Sequence, residues 1–398
     1  MSTESPPELT QGNISFLHLG FRPFFFGALA FAILSIMIWM FQFTFHQSVI
    51  SAFYPMIAWH AHEMIFGFST AVIAGFLLTA VKNWTKIQTL HQTPLLLVFL
   101  IWLAPRALPL VDASWAIGLL AFLDCSFILL VGLAYAAPVV KKKLWKNASF
   151  IVAFVALFIG NLLYYLGLFR VIDKGIHWGL YIGFYVVIAV VFHLGRRVIP
   201  FFFRKALNGF EVKNYAIVDK SIWWIFLAFA ISEIFFPRLW AGSLTAMMLA
   251  LLVSARLVGW YHKDIWKIPL VWVLYLAYVW FVIGFLLRAL SSFFQISPFL
   301  SVHAFSYGGI GLIIAGMIAR VSLGHTGNSV YHPPAILPFA FGILFLGATT
   351  RVLLPLFLKE YYLQLIGLSQ VLWMIAFLIL FVIYAPMLVK VRADGKYG

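Results

Sequence analysis

The chain has 398 residues, of which 64% are hydrophobic and only 10% are charged, and its mean hydropathy is +1.01. Globular domains carry about 25% charged residues, so this composition excludes an ordinary soluble protein and is typical of a polytopic helical membrane protein. The net charge of +15 does not indicate a nucleic-acid partner, because the basic residues are dispersed among loops beside apolar segments. The single cysteine, Cys125, excludes an internal disulfide framework and a multi-cysteine metal site.

A membrane-spanning helix needs about 20 predominantly apolar residues. Segments of this kind predict an all-α transmembrane bundle of about twelve helices, near residues 23–42, 57–81, 94–111, 113–138, 148–168, 177–195, 221–237, 240–259, 268–290, 301–321, 333–357 and 363–389. We predict a short cytoplasmic tail over residues 1–22 and one transmembrane domain over residues 23–398. The basic loop at 196–220 divides this domain into two halves of six helices.

The distribution of basic residues predicts the orientation of the bundle. With twelve spans, the N-terminus and the even-numbered loops lie on one face, and most lysines and arginines fall there, for example in 141–143 and 196–205. Basic loops stay in the cytoplasm, so both termini are predicted to be cytoplasmic.

The second predicted helix opens with an unusual polar stretch, Trp59–Met64. Ionisable groups are costly in lipid, so those near a span are expected to face the protein interior and to carry a function. His60 and His62 are two residues apart and point to different sides of a helix, whereas His60 shares a side with Glu63 and with Met64. One imidazole could bind iron or copper, while the other serves a second metal or is oriented by Glu63.

Other histidines fall into two predicted layers. His303, at the start of the tenth helix, lies at the outer level of His60 and His62, while His193 and His325 lie near the inner face. At 1.5 Å per helical residue, His303 and His325 are ~33 Å apart and cannot share a ligand. Metal chemistry would therefore occupy two layers.

Further residues are candidates for contact with a haem. Arginines near the inner face, including Arg22, Arg197 and Arg320, are suited to anionic haem propionates. Small residues leave one side of the second and tenth helices nearly bare, so that a flat macrocycle or another helix could lie there.

Each of these features also has a purely structural interpretation. A membrane histidine is often a hydrogen-bonded packing residue. The three buried carboxylates would then simply neutralise the arginines within spans: Glu63, Asp124 and Glu233 with Arg256 and Arg351.

Five segments, in order along the chain, resemble the NnrS family: Gly20–Phe25, Trp59–Phe68, Ala74–Val81 with Asn83–Thr85, Gly195–Phe202 and Ala319–Gly327. The resemblance implies a twelve-helix bacterial inner-membrane protein that binds b-type haem and copper and protects against nitric oxide and nitrosative stress, often beside denitrification. It implies His60, His62, His303 and His325 as ligands. His193 is not a usual family position and is a candidate substitute ligand.

Two other functions are considered beside a haem–copper protein that binds nitric oxide or a metal–nitrosyl species. One is a secondary transporter, proton-coupled through Glu63 and Asp124. The other is a haem-based sensor that binds its ligand without turnover. Whether the protein is an enzyme stays open, and the expected partners are the lipid bilayer and a small ligand, with no nucleic acid.

Overall fold

The computed structural model describes residues 14–207, 210–213, 215–237 and 239–398 of the chain. Over those residues it contains long helices and no β-strand, which confirms the predicted all-α bundle. The helices are α1 (Phe21–Thr44), α2 (Met56–Thr85), α3 (Gln92–Leu110), α4 (Ser114–Lys141), α5 (Trp145–Leu168), α6 (Gly175–Ala206), α7 (Ala216–Phe235), α8 (Trp240–Trp260), α9 (Pro269–Leu290), α10 (Pro298–His325), α11 (Leu337–Phe357) and α12 (Lys359–Val389).

Within the described ranges, 11 of these helices are long and apolar enough to cross a membrane, as expected for a multi-pass membrane protein. The exception is α7, which carries Asp219, Lys220 and Glu233. Its two carboxylates are neutralised inside the bundle, because Asp219 lies 2.5 Å from Arg256 and Glu233 lies 2.6 Å from Arg288. The charges of α7 therefore do not exclude it from the bundle.

The largest departure from the predicted boundaries is in α6, which continues to Ala206 instead of ending at residue 195. The prediction ended this helix at Arg196 and Arg197, because adjacent charges are typical of a loop. In the structure both arginines are exposed, while Ile199 and Phe203 bury the opposite side of the extension. Long basic side chains can border an apolar surface and keep their charge in water, so the helix does not end there. Residues 1–13 of the predicted tail lie outside the described residues.

The helices α2 and α10 form the centre of the bundle. In each, 78% of the apolar window is buried, against 33% to 61% for the other spans measured in the same way. The last helix, α12, packs against both α1 and α11. The first and last of the described helices therefore pack against each other beside the central pair.

Strips of small residues on α2 and α10 accommodate neighbouring side chains. A Cβ atom at Gly75 would lie 3.0 Å from Cβ of Phe24 on α1, and one at Gly308 would lie 2.3 Å from the ring of Trp280 on α9. The sequence predicted that either another helix or a flat macrocycle could lie on these strips. At both glycines the structure shows packing against another helix. A macrocycle has no room on α10 at Gly308.

Both central helices contain a π-helical segment directly after their histidines: Glu63–Ser69 in α2 and Ala304–Gly311 in α10. In α2 the hydroxyls of Ser69 and Thr70 donate to the carbonyls of Met64 and Ile65 at 2.7 and 2.9 Å, and the carbonyl of Ile65 also accepts the backbone N–H of Thr70. Such segments are frequent at functional sites. Here they mark the same level of both helices.

Candidate functional site

A cavity of about 640 Å³ lies among α1, α2, α6, α10, α11 and α12, and both His60 and His303 line it. Most of the wall is apolar. The polar or charged side chains on the wall are His60, Ser69, Asp173, His177, Tyr181, His303, Ser306, Tyr307, Arg351, Ser369 and Gln370. The volume falls within the ~300–1,000 Å³ of small-molecule and cofactor sites, and an apolar wall with a few convergent polar groups is typical of them.

The imidazole of His303 is fixed by hydrogen bonds at both ring nitrogens. Its Nδ1 lies 2.7 Å from the carbonyl oxygen of Phe299, and its Nε2 lies 3.2 Å from Nη2 of Arg351. A carbonyl only accepts and a guanidinium only donates, so the proton is on Nδ1 and the lone pair is on Nε2. Metal-binding histidines are oriented in the same way, with one N–H donated to a carbonyl.

The imidazole of His60 is held by stacking. Its ring lies nearly parallel to that of Trp39, with centroids 4.4 Å apart and an interplanar angle of 10°. Its buried Nδ1 has no hydrogen-bond partner among the described residues. Met64, one helical turn later, lines the same cavity, as their four-residue spacing predicts. The cavity therefore offers two imidazoles and a thioether.

His62 points away from this cavity into a separate buried cluster. Its Nδ1 lies 3.1 Å from Glu63, and its Nε2 lies 2.8 Å from Oδ1 of Asn161. The guanidinium of Arg106 donates a hydrogen bond from Nη1 to Oε2 of Glu63 and another from Nη2 to Oδ1 of Asp124. The three outer histidines therefore do not form one group: His60 and His303 share the cavity, and His62 belongs to this cluster.

The cluster has some of the features of a metal site. Within the described part of the chain, His62, Glu63 and Asp124 each offer a ligand atom, and these atoms lie within 4.8 Å of one another. Arg106 already binds both carboxylates, and the hydroxyl of Tyr165 donates to Asp124 at 2.6 Å. A metal ion would therefore compete with a guanidinium at this position.

The predicted inner layer lies at the other end of α10. His325 is the last residue of that helix, and its ring centroid lies 5.5 Å from that of Phe21. Beside it, Arg22 is buried and donates to the carbonyls of Leu388, Lys390 and Gly398 at 2.8, 2.7 and 2.5 Å. Residues 390–398 therefore cover this end of α10. His303 and His325 lie near opposite ends of the same helix, so they cannot share a ligand.

Two more of the predicted haem-contacting arginines lie against aromatic rings. The guanidinium carbon of Arg197 lies 5.4 Å from the ring centroid of Trp84, and that of Arg320 lies 3.7 Å from that of Phe202. Such cation–π contacts are stabilising at exposed sites such as Arg197 and more so at buried ones such as Arg320. Neither arginine lines the His60–His303 cavity.

His193 takes part in packing among α5, α6 and α7. Its Nε2 lies 3.1 Å from the hydroxyl of Ser149, and its ring lies against the rings of Phe150 and Trp223. It lies outside the cavity that contains His60 and His303.

The sequence interpretation missed the roles of two arginines. Arg351 was assigned to a buried carboxylate, but it faces His303, while Arg256 binds Asp219. Arg106 falls within the predicted third helix at 94–111, and in the structure it pairs with both Glu63 and Asp124. The predicted topology contained a signal for Arg106, because the end of α3 and the start of α2 lie at the same face.

Comparison with other proteins supports the motif-based resemblance. A search of curated proteins gives no match to this chain. The family model described as NnrS protein matches residues 15–392, which is nearly the whole chain. The protein therefore belongs to the NnrS family.

Proposed function

We propose that this protein is a haem- and copper-binding protein of the bacterial inner membrane that handles nitric oxide or protects against nitrosative stress. The observation that carries the proposal is the meeting of His60 and His303 on the wall of one cavity of about 640 Å³. Membership of the NnrS family supports the same function.

The residues of the cavity fit a haem in their chemistry. Nε2 of His303 carries a lone pair that faces Arg351, which a bound metal would displace, and Nδ1 of His60 has no partner within the described residues. The wall is mostly apolar. Arg351 and Gln370 supply polar groups for a ligand carboxylate, and Nε2 of Gln370 is also without a partner there. Bound haem would supply an iron that coordinates nitric oxide.

For copper, we favour the donors of the same cavity over the His62 cluster. Imidazole and thioether groups suit copper, and His60 and Met64 supply both types. In the His62 cluster, Arg106 already pairs with both carboxylates, so a metal ion there would be repelled by the positive charge of the guanidinium. A further metal group at His325 stays a prediction, with Arg22 as its neighbour.

The transporter alternative is not favoured. Its proposed proton carriers, Glu63 and Asp124, are both buried and both bound by Arg106. Each carboxylate already has Arg106 as its ionic partner, so neither is an unpaired acid in position to carry a proton. Family membership points to metal binding instead.

The test is to purify the protein, measure its metal content and absorption spectrum, and titrate it anaerobically with nitric oxide. We expect a Soret band that shifts with nitric oxide, and cells that carry the protein should survive a nitric oxide donor better than cells that carry His303→Ala. His193→Ala is the control, because this histidine lies outside the cavity. A colourless, metal-free protein that gives no protection would contradict the proposal.

A further inference from the structure

A second, smaller cavity adjoins the first. Its volume is about 60 Å³, and it lies between α2, α6 and α10. Ser69, Val187 and Ile310 line both cavities. These three residues therefore form the junction at which the two spaces meet.

The smaller cavity extends from this junction toward the opposite face of the bundle. Along α6 its wall runs from Val187 to Ile199, which is ~18 Å at 1.5 Å per residue. Along α2 it runs from Ser69 to Phe76. The linings of the two cavities together thus extend from the His60–His303 level along α6 as far as Ile199.

The wall of the smaller cavity is apolar. It consists of aliphatic, aromatic, methionine and glycine residues, with Ser69 as the one hydroxyl among its lining side chains, and that hydroxyl already donates to the carbonyl of Met64 at 2.7 Å. A buried water needs two to four polar partners, so this wall does not favour water. A water-sized site needs only ~10–15 Å³, so 60 Å³ has room for a small molecule.

We propose that the smaller cavity is a binding and transit site for small, uncharged, apolar gas molecules, of the size of nitric oxide, on their way to the His60–His303 cavity. The assignment of nitric oxide as the physiological gas rests on the proposed function. The site itself rests on its volume, its apolar wall and its shared junction. Dry apolar cavities in proteins bind xenon for the same physical reasons.

A gas suits this site better than a lipid acyl chain. An acyl chain would need a continuous opening to the bilayer, whereas most of the wall is buried, with exposures of 3% for Val190, 5% for Ile314 and 0% for Phe25. Phe76 and Met317 are among the half-buried lining residues. Ile310, at the junction, is 4% exposed. A volume of about 60 Å³ therefore favours a short ligand, which can enter past the half-buried side chains.

Xenon is the direct probe, because it needs neither haem nor copper. Crystals pressurised with xenon should show anomalous density in the smaller cavity. Ile314→Phe, which fills the space, should lower the xenon occupancy at least twofold, and Phe76→Ala, which enlarges it, should raise the occupancy. Leu251→Phe is the control, because Leu251 is 66% exposed on α8 and should leave occupancy unchanged.

Two results would overturn the proposal: ordered water or an acyl chain in the cavity in place of xenon, or xenon occupancy that is the same in all variants. If Ile314→Phe does not fold, Phe76→Ala decides the question by itself. In metal-loaded protein, Ile314→Phe should also slow nitric oxide binding severalfold. Xenon binding without any response to nitric oxide would support the gas site and contradict the proposed function.

Discussion

Arg351 and His303 form a contact that joins a cation to a candidate metal ligand: Nη2 of the arginine lies 3.2 Å from Nε2 of the histidine. On the far side of the ring, Nδ1 donates to the carbonyl of Phe299 at 2.7 Å. The two contacts fix both the tautomer and the orientation of the imidazole. A cation that binds Nε2 must therefore displace the guanidinium.

From this contact we predict that Arg351→Gln binds copper more tightly than the wild type, because the imidazole of His303 then becomes available to copper in the cavity beside His60 and Met64. The substitution removes a charge-assisted hydrogen bond of ~1.5 kcal/mol and a repelling positive charge, which corresponds to about tenfold in affinity. Cu(I) titration against a competing chelator measures the change. Arg204→Gln, an exposed position on α6, is the control and should bind copper as the wild type does. Weaker binding by Arg351→Gln would contradict this role for Arg351.

Arg106 is predicted to stabilise the fold through its two carboxylates. Arg106→Ala leaves Glu63 and Asp124 buried without their cation, which typically costs ~3–5 kcal/mol. We expect a markedly lower melting temperature in detergent. Adding Glu63→Gln and Asp124→Asn to this variant removes the uncompensated charges and should recover part of the loss. An unchanged melting temperature for Arg106→Ala would show that the cluster contributes little.

Two glycines with different surroundings should respond in opposite ways to alanine. A Cβ at Gly179 would lie 2.4 Å from the backbone oxygen of Gly160, so α5 and α6 would have to separate. Nothing lies within 4 Å of a Cβ at Gly342 on α11. Gly179→Ala should destabilise the protein by ~1–3 kcal/mol, and Gly342→Ala should stabilise it by ~0.5–1 kcal/mol. Thermal unfolding of both variants in the same detergent compares them directly.

The contact between His18 and Tyr397 is predicted to depend on pH. The two rings stack with centroids 4.3 Å apart, and burial, followed by the charge of Arg22, lowers the pKa of His18 below its usual value. Because the folded-state pKa is the lower one, the neutral ring is favoured in the folded protein. The contact is therefore at full strength above about pH 6.5 and weakens as the pH falls below that value.

Hydrogen exchange of residues 390–398 tests this prediction. After correction for intrinsic rates, exchange should be faster at pH 5.5 than at pH 7.5. His18→Phe keeps an aromatic ring but cannot be protonated, so its exchange should not depend on pH in this way. An equal pH dependence in the variant would place the titrating group elsewhere.

Much of the fold was predictable because the apolar segments are long and the charges between them are sparse. The helix boundaries agree within a few residues except at α6, where Arg196 and Arg197 were read as a loop. Charge in a sequence does not distinguish a loop from the exposed side of a helix end. That distinction needs Ile199 and Phe203 to be seen packed on the other side.

The candidate site was predictable in its residue types but not in its grouping. A two-residue spacing places His60 and His62 on different sides of a helix, but it does not tell which side faces the cavity. A π-helical segment begins at Glu63 and changes the directions in which the following side chains point. Regular α-helical spacing does not predict this change. The contact between Arg351 and His303 was not predictable, because the two residues lie on different helices and their separation in sequence does not indicate their distance in space.

The central claim is that His60 and His303 hold a metal group in the cavity they share, and metal content tests it most directly. Haem and copper per protein should be measured in the wild type, His60→Ala, His303→Ala, the double variant and the control His193→Ala. The account predicts that both single variants lose the same bound group, that the double variant loses no more, and that the control keeps it. Full haem and copper content in both single variants would contradict it.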